Sequence, residues 1–293
     1  MTTPAISVSR VQRLSQTGLY AQDQIKVDKR WALTLGGRQD WAKARYVDRF
    51  AGTTAKRDDS AFTGRAGLAY LSDLGVTPYV SYSQSFLPVS TAGAAGRILD
   101  PETGRQFEAG VKYQPPGGES YVAAALFDLK RRNVVTYDLI TFAPTQTGEV
   151  RSRGAELEVK LNLLRDFNLL AAYTYQDVEV TKSTAADLGK RPPTIPEQTA
   201  SLWADYKFAE GPLAGLGLGA GVRHTGFTYG DTRNTYKVPG YTLADASVHY
   251  DWGDTRLALN ANNLFDKEYV ASCWGSCYFG PRRTVIATLR HRW

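Results

Sequence analysis

The sequence predicts an all-β fold: an antiparallel up-and-down barrel of the outer-membrane kind, present as about 13–14 strands of a larger barrel. Three observations predict it. Apolar and polar residues alternate with period two along most of the chain, many alternating stretches run well past ten residues, and short turns alternate with long polar connections. Side chains of a strand point to opposite faces in turn, so each stretch reads as a strand with one apolar and one charged face.

Taken in order, "RWALTLGGRQDW" sets Trp31, Leu33, Leu35 and Trp41 against Arg30, Thr34, Arg38 and Asp40. In "FEAGVKY", Phe107, Ala109, Val111 and Tyr113 oppose Glu108, Gly110 and Lys112. "GAELEVKLNL" sets Ala155, Leu157, Val159, Leu161 and Leu163 against Glu156, Glu158, Lys160 and Asn162. "ASLWADYKF" sets Ala200, Leu202, Ala204, Tyr206 and Phe208 against Ser201, Asp205 and Lys207. At the chain end, "TVIATLRHRW" puts Val285, Ala287, Leu289 and Trp293 on one face and Thr284, Thr288, Arg290 and Arg292 on the other.

Breakers divide the stretches. Short turns fall at 27–30, 72–75, 115–118, 163–166, 209–215 and 251–255. Longer Gly/Pro/Thr-rich connections fall near 42–60, 86–103, 133–147, 181–196, 229–239 and 268–282. In an up-and-down sheet this places every short turn at one end and every long loop at the other, the asymmetry of outer-membrane barrels. The spacing gives about thirteen strands from residue 16 onward, with a further weak candidate in 3–14. A soluble β-sandwich would use strands nearer about 5–6 residues, and a lipocalin-like barrel would be shorter with its apolar side inward.

Composition agrees. The chain has 293 residues, 12% aromatic, with 27 Gly and 17 Tyr, which suits strands and turns. Mean hydropathy is −0.34, and no run approaches the roughly 20 apolar residues of a membrane helix. That leaves barrel strands open, since their alternation averages to near-neutral hydropathy. The net charge of +6 comes from Lys and Arg spread along the chain among 29 acids, which argues against a nucleic-acid partner. "MTTPAISVSRVQRL" lacks the apolar core of a signal peptide, so the expectation is a chain that stays inside or lacks its natural N-terminus.

"LNANNLFDKEYVASC" followed by "GPRRTVIATLRHRW" resembles the C-terminal end of TonB-dependent siderophore receptors of the ferrichrome/hydroxamate type. "TGLYAQDQIKVDKRWALTLGGRQDW", "PYVSYSQSFLP", "DPETGRQFEAGVKYQ", "ALFDLKRRNVVT" and "GEVRSRGAELEVK" are similar to successive strands of that barrel. The likeness runs from about Gln16 to Trp293. It implies a barrel of about 22 strands closed by a separate N-terminal plug. Plug, TonB box and the remaining strands are not recognisable here, so residues 1–293 are expected to be a single barrel-domain fragment. The resemblance implies uptake of a ferric siderophore as transported ligand, with no resident cofactor and no catalysis. The implied partners are outer-membrane lipid, the barrel-assembly machinery with Trp293 as its signal, and the TonB–ExbB–ExbD system through the missing N-terminal region. The alternative is a non-transporting barrel fragment or a passive porin-like channel.

Candidate sites follow from this frame. His224, His249 and His291 stand alone, so no metal site is expected. "GLGLGAG" (215–221) spaces its glycines at period two and fails the phosphate-loop register at Val222, so it reads as a glycine-lined strand face. The charges Glu108, Lys112, Glu156, Glu158, Lys160, Asp205, Lys207, Asp245, Arg256 and Arg290 are expected on an aqueous inner face. Tyr137, Phe142, Tyr229, Tyr236, Trp274, Tyr278 and Phe279 lie in the long loops and are the expected ligand-binding aromatics. Cys273 and Cys277, in "SCWGSC", lie in the last long loop, on the oxidising side of the membrane. They are expected to form a disulfide, and the resemblance implies one in the same place.

Overall fold

A computed structural model describes residues 9–137, 143–164 and 166–293. Its strands are β1 (Arg10–Val27), β2 (Trp31–Asp48), β3 (Thr53–Tyr70), β4 (Val76–Leu87), β5 (Glu102–Tyr113), β6 (Tyr121–Tyr137), β7 (Pro144–Leu164), β8 (Phe167–Lys182), β9 (Gln198–Lys207) and β10 (Leu216–Thr225). The rest are β11 (Thr228–Tyr229), β12 (Lys237–Val238), β13 (Tyr241–Trp252), β14 (Thr255–Asn262), β15 (Val270–Trp274), β16 (Ser276–Phe279) and β17 (Thr284–His291). Thirteen of these form one sheet in strict chain order, β1 to β10 followed by β13, β14 and β17. The pairs β11–β12 and β15–β16 are separate hairpins inside the last two long loops. Every ladder is antiparallel between neighbours along the sheet, and among the described residues β1 and β17 are the two unpaired edges of an open sheet.

Residues 10–27 form one strand, so the weak candidate in 3–14 is the outer half of β1 where it is described. The expected loops 42–60 and 133–147 need a larger correction. β2 pairs to Asp48 and β3 from Thr53, while β6 reaches Tyr137 and β7 begins at Pro144. These strands project past the apolar band into water. The backbone ladder continues there, but the polarity of the two faces inverts, so the lipid-facing apolar pattern that marks a strand breaks off.

The register fixes which residues share a face, because directly opposed residues of a ladder point the same way. Lys112 opposes Ala123, Ala123 opposes Glu158, Glu158 opposes Ala172, and Ala172 opposes Ser201. Asp205 opposes Gly219, Gly221 opposes Asp245, Asp251 opposes Arg256, and Arg256 opposes Arg290. By this chain all ten predicted inner charges lie on one continuous face. The other face carries Leu35, Leu68, Val80, Phe107, Leu126, Leu157, Leu202, Leu218, Leu259 and Leu289, all large, apolar and exposed. An exposed apolar band of that extent belongs against lipid. Aromatic pairs border it at the short-turn end, Trp31–Tyr70 and Tyr206–Phe208 each at 4.9 Å and Tyr250–Trp252 at 5.9 Å. Towards the long loops the border holds Tyr82–Phe107 at 4.6 Å.

The glycines of 215–221 have a local cause. A Cβ on Gly219 would stand 2.5 Å from the Trp203 ring, and one on Gly217 would stand 2.0 Å from the His249 ring. Both glycines lie on the inner face, where the neighbouring strands' side chains cross the β10 backbone. Short-turn chemistry is equally local. Asp28 and Lys29 take φ of 51° and 58°, the two left-handed residues that a tight hairpin between β1 and β2 requires.

Candidate functional site

The long-loop end of the sheet forms a mouth, and its loops fold inward. The segment between β4 and β5 places Ala92 and Ile98 against Ala44 and Tyr46, on the inner face of β2. Asp100 pins its end. Arg57 Nη1 donates to the Asp100 carboxylate at 2.7 Å, and Gln146 Nε2 donates to the Asp100 carbonyl at 2.7 Å. Beneath it lies a cavity of about 820 Å³, whose charged lining is Lys56, Arg57, Arg97 and Asp100. This basin is polar and mostly basic.

Three further loops lock together beyond the β6–β7 extension. Thr194 N donates to the Tyr229 carbonyl at 2.9 Å, tying the β8–β9 loop to β11. Asn234 grips the same loop from both sides: its Oδ1 accepts from Arg191 N at 2.8 Å, and its Nδ2 donates to the Arg191 carbonyl at 2.7 Å. The Asp231 carboxylate accepts from the amides of Arg233, Thr235 and Tyr236 at 2.8, 3.2 and 2.6 Å. Burial pushes this carboxyl up, but the three amides outweigh it and hold it below the usual carboxylate range.

The β15–β16 hairpin completes the cluster. Cys273 and Cys277 form a disulfide, and Cys273 is buried at 1% exposure. The hairpin seats on Gly230, where Gly275 N donates to the Gly230 carbonyl at 3.3 Å. A Cβ on Gly230 would lie 3.1 Å from Cys273 Cβ and 2.7 Å from the Tyr236 ring, so only glycine admits the hairpin this closely. At the hairpin base, Arg282 forks onto Asp266 and also pairs with Glu268. The Asp266 carboxyl is held well below its usual range, chiefly by that Arg282 bond and then by the Arg283 amide.

The predicted aromatics take different positions. Tyr236 lies with Cys273 against Gly230, while Tyr229, one residue before it on β11, stacks edge-on with Phe227 at 5.7 Å. Trp274 closes β15 and lines an apolar cavity of about 210 Å³ with the outer ends of β6, β7 and β8 and the β8–β9 loop. Tyr278 and Phe279, on β16, are exposed. Tyr137 ends β6 opposite Pro144, one residue beyond the β6 wall of that cavity. Phe142 lies outside the described residues. Sequence reasoning missed the cations of the basin and the apolar side chains around Trp274, including Val150, Val180, Pro192 and Ile195.

Comparison with known proteins follows from this geometry. A family model described as "TonB dependent receptor-like, beta-barrel" matches residues 2–264. The ferrichrome outer membrane transporter/phage receptor of Escherichia coli K12 is 47% identical over 290 residues, covering 96% of this chain and 39% of that protein. The ferrioxamine B receptor of Salmonella typhimurium is 42% identical, covering 94% of this chain and 40% of that protein. The crystal structure of the siderophore receptor PiuA from Acinetobacter baumannii superposes with a TM-score of 0.83 at 29% identity, over 95% of this chain and 43% of that one. The chain thus spans about two fifths of the length of the curated relatives it matches.

Proposed function

This chain belongs to the TonB-dependent receptor-like β-barrel family of the outer membrane, and from that premise we propose that it forms part of the wall and mouth of a receptor for ferric siderophores. Its share of such a receptor is ligand capture at the mouth and a polar path below it. Passage across the membrane is assigned to a closed assembly, with the plug and the TonB–ExbB–ExbD contact supplied outside these residues. Trp293 is assigned to recognition by the assembly machinery, Tyr137, Phe142, Tyr229, Tyr236, Trp274, Tyr278 and Phe279 to the ligand's surroundings.

The observation that carries this reading is the mouth itself. Loops from β8–β9, β10–β13 and β14–β17 interlock through Asn234 and Gly230 and present Trp274 beside the outer ends of β6, β7 and β8. A rigid aromatic wall and a basin with Lys56, Arg57 and Arg97 suit a bulky, oxygen-rich chelate. Siderophores are the ligands named for the relatives, ferrichrome and ferrioxamine B among them. Lipid cannot satisfy the unpaired backbone of β1 and β17, so we assign both edges to pairing with further strands of a larger barrel.

The test is equilibrium binding of a ⁵⁵Fe-labelled ferric trihydroxamate to the chain in outer-membrane vesicles, read against the same vesicles without it. Saturable binding, lowered at least about tenfold by Trp274→Ala as expected for a central aromatic contact, supports capture at the mouth. Binding that is absent, or indifferent to Trp274→Ala and Tyr236→Ala together, refutes it.

A further inference from the structure

The cavity beside Trp274 differs in kind from the basic basin. Val134, Val150, Val180, Pro192 and Ile195 line it, and Trp274 stands over it. Its charged neighbours are already matched. Arg131 pairs with Glu102 at 2.6 Å, and Arg191 lies 3.7 Å from Asp177 and 3.8 Å from Glu197. Asp187, also in the lining, accepts from Ser183 Oγ. Its volume of about 210 Å³ exceeds the roughly 150 Å³ of an engineered apolar cavity that holds benzene. Water held against such an apolar lining is displaced favourably by a neutral apolar group of fitting size.

Its position is equally specific. Val150 opposes Val180 across the β7–β8 ladder, and both lie on the inner face at the mouth. Gln146 of β7, which also lines the basic basin, donates to the Asn133 carbonyl of β6 at 2.8 Å. The basin and the apolar socket are therefore both bounded by the β6–β7 extension.

We propose that this socket receives a neutral apolar arm of the bound chelate and gives the mouth a preference for ferric chelates that carry one. The inference rests on the capture reading above. Trp274 then serves as one wall of the socket, positioned by the disulfide hairpin. The oxygen-rich iron centre stays on the basin side.

Two ferric trihydroxamates that differ only in one N-acyl group, acetyl against hexanoyl, test this with the detergent-solubilised chain. The hexanoyl chelate should bind at least about tenfold more tightly, a modest share of what four buried methylenes can contribute. Ile195→Phe, which fills the socket, should bring the ratio close to one. Equal affinities in the unaltered protein overturn the socket while leaving the capture reading standing. Failure to bind either chelate overturns the capture reading, and the socket is then decided by labelling. Both native cysteines are in the disulfide, so Val150→Cys presents a single thiol. N-ethylmaleimide should modify it faster than a sulfonate-bearing thiosulfonate, after each rate is divided by that for a free cysteine peptide. Equal normalised rates overturn the proposal.

Discussion

At the scale of single residues, the mouth is held by a few side chains that bond backbone rather than each other. Asp231 is the clearest. Its carboxylate gathers three amides of its own loop, and those bonds are at full strength only while it is ionised. Because its pKa is lowered in the folded chain, its contribution is fully present above the unfolded value, about 3.9. The contribution is lost as pH falls through the depressed folded value. Protection of residues 226–240 from proteolysis or hydrogen exchange should therefore stay level from neutral pH down to about 4 and fall only below that. Asp231→Asn should remove about 1 kcal/mol of local stability at neutral pH, since a neutral amide accepts more weakly and leaves one amide unmatched. A loop whose protection already declines between pH 7 and 5, or one unchanged in Asp231→Asn, contradicts this account. Asn234 and Gly230 act alongside. Asn234 adopts φ of 59° and clamps Arg191 from both sides, while Gly230 lets the disulfide hairpin approach.

At the scale of strands, two faces of different chemistry run the height of the sheet, and adjacent positions should respond oppositely to the same change. Leu126 and Ala125 are neighbours on β6. Leu126 is 64% exposed in the apolar band between Ala109 and Ala155, whereas Ala125 faces inward directly opposite Glu156. Leu126→Arg should cost about 2–4 kcal/mol in membrane-inserted stability, as a cation placed on the lipid face does. Ala125→Arg should cost little, because Glu156 stands beside it. Unfolding from bilayers in denaturant, followed for both variants, checks the contrast; similar losses at both positions would mean the faces are misassigned. The same alternation is what made the strands legible in the sequence. Beyond the apolar band it misled, and the reason is readable in particular residues. In the outer part of β8, Val178 and Val180 lie inward and are buried, while Asp177 and Glu179 lie outward. In β2, Ala42, Ala44 and Tyr46 lie inward and are buried, while Lys43 and Arg45 lie outward. The polarity of the faces has inverted. Such an inversion marks where a strand has left lipid and an inward-folded loop covers its inner face. It was present in the sequence but resembled a loss of pattern. The apolar socket was not legible, since Val150, Pro192 and Trp274 become neighbours only once three loops interlock.

At the scale of the whole molecule, the sheet is the unsolved part of its own stability. Among the described residues, thirteen strands run in order with β1 and β17 unpaired, and β1 alone presents eighteen residues along its edge. Membrane-spanning sheets exist only closed, because a hydrocarbon medium offers no partner for free N–H and C=O groups. The sheet is similar to part of the PiuA barrel, at a TM-score of 0.83 over 95% of this chain and 43% of the receptor, and the proposed reading assigns its edges to further strands. An edge built to continue a barrel should accept the neighbouring strands even when they arrive on another polypeptide. The Escherichia coli ferrichrome transporter, 47% identical where the two overlap, can be truncated to end where its likeness to this chain begins, leaving the part of that protein this chain does not span. Co-expressed in the outer membrane, the two pieces should gain heat-modifiable gel mobility and mutual protection from protease, which this chain produced alone should lack. Cysteines placed at Gln16 on β1 and at successive positions of the last strand of the truncated partner should then cross-link at one register only. Full heat-modifiability of this chain by itself would mean that it closes on its own edges, and cross-linking at every register would mean that the edges meet without pairing.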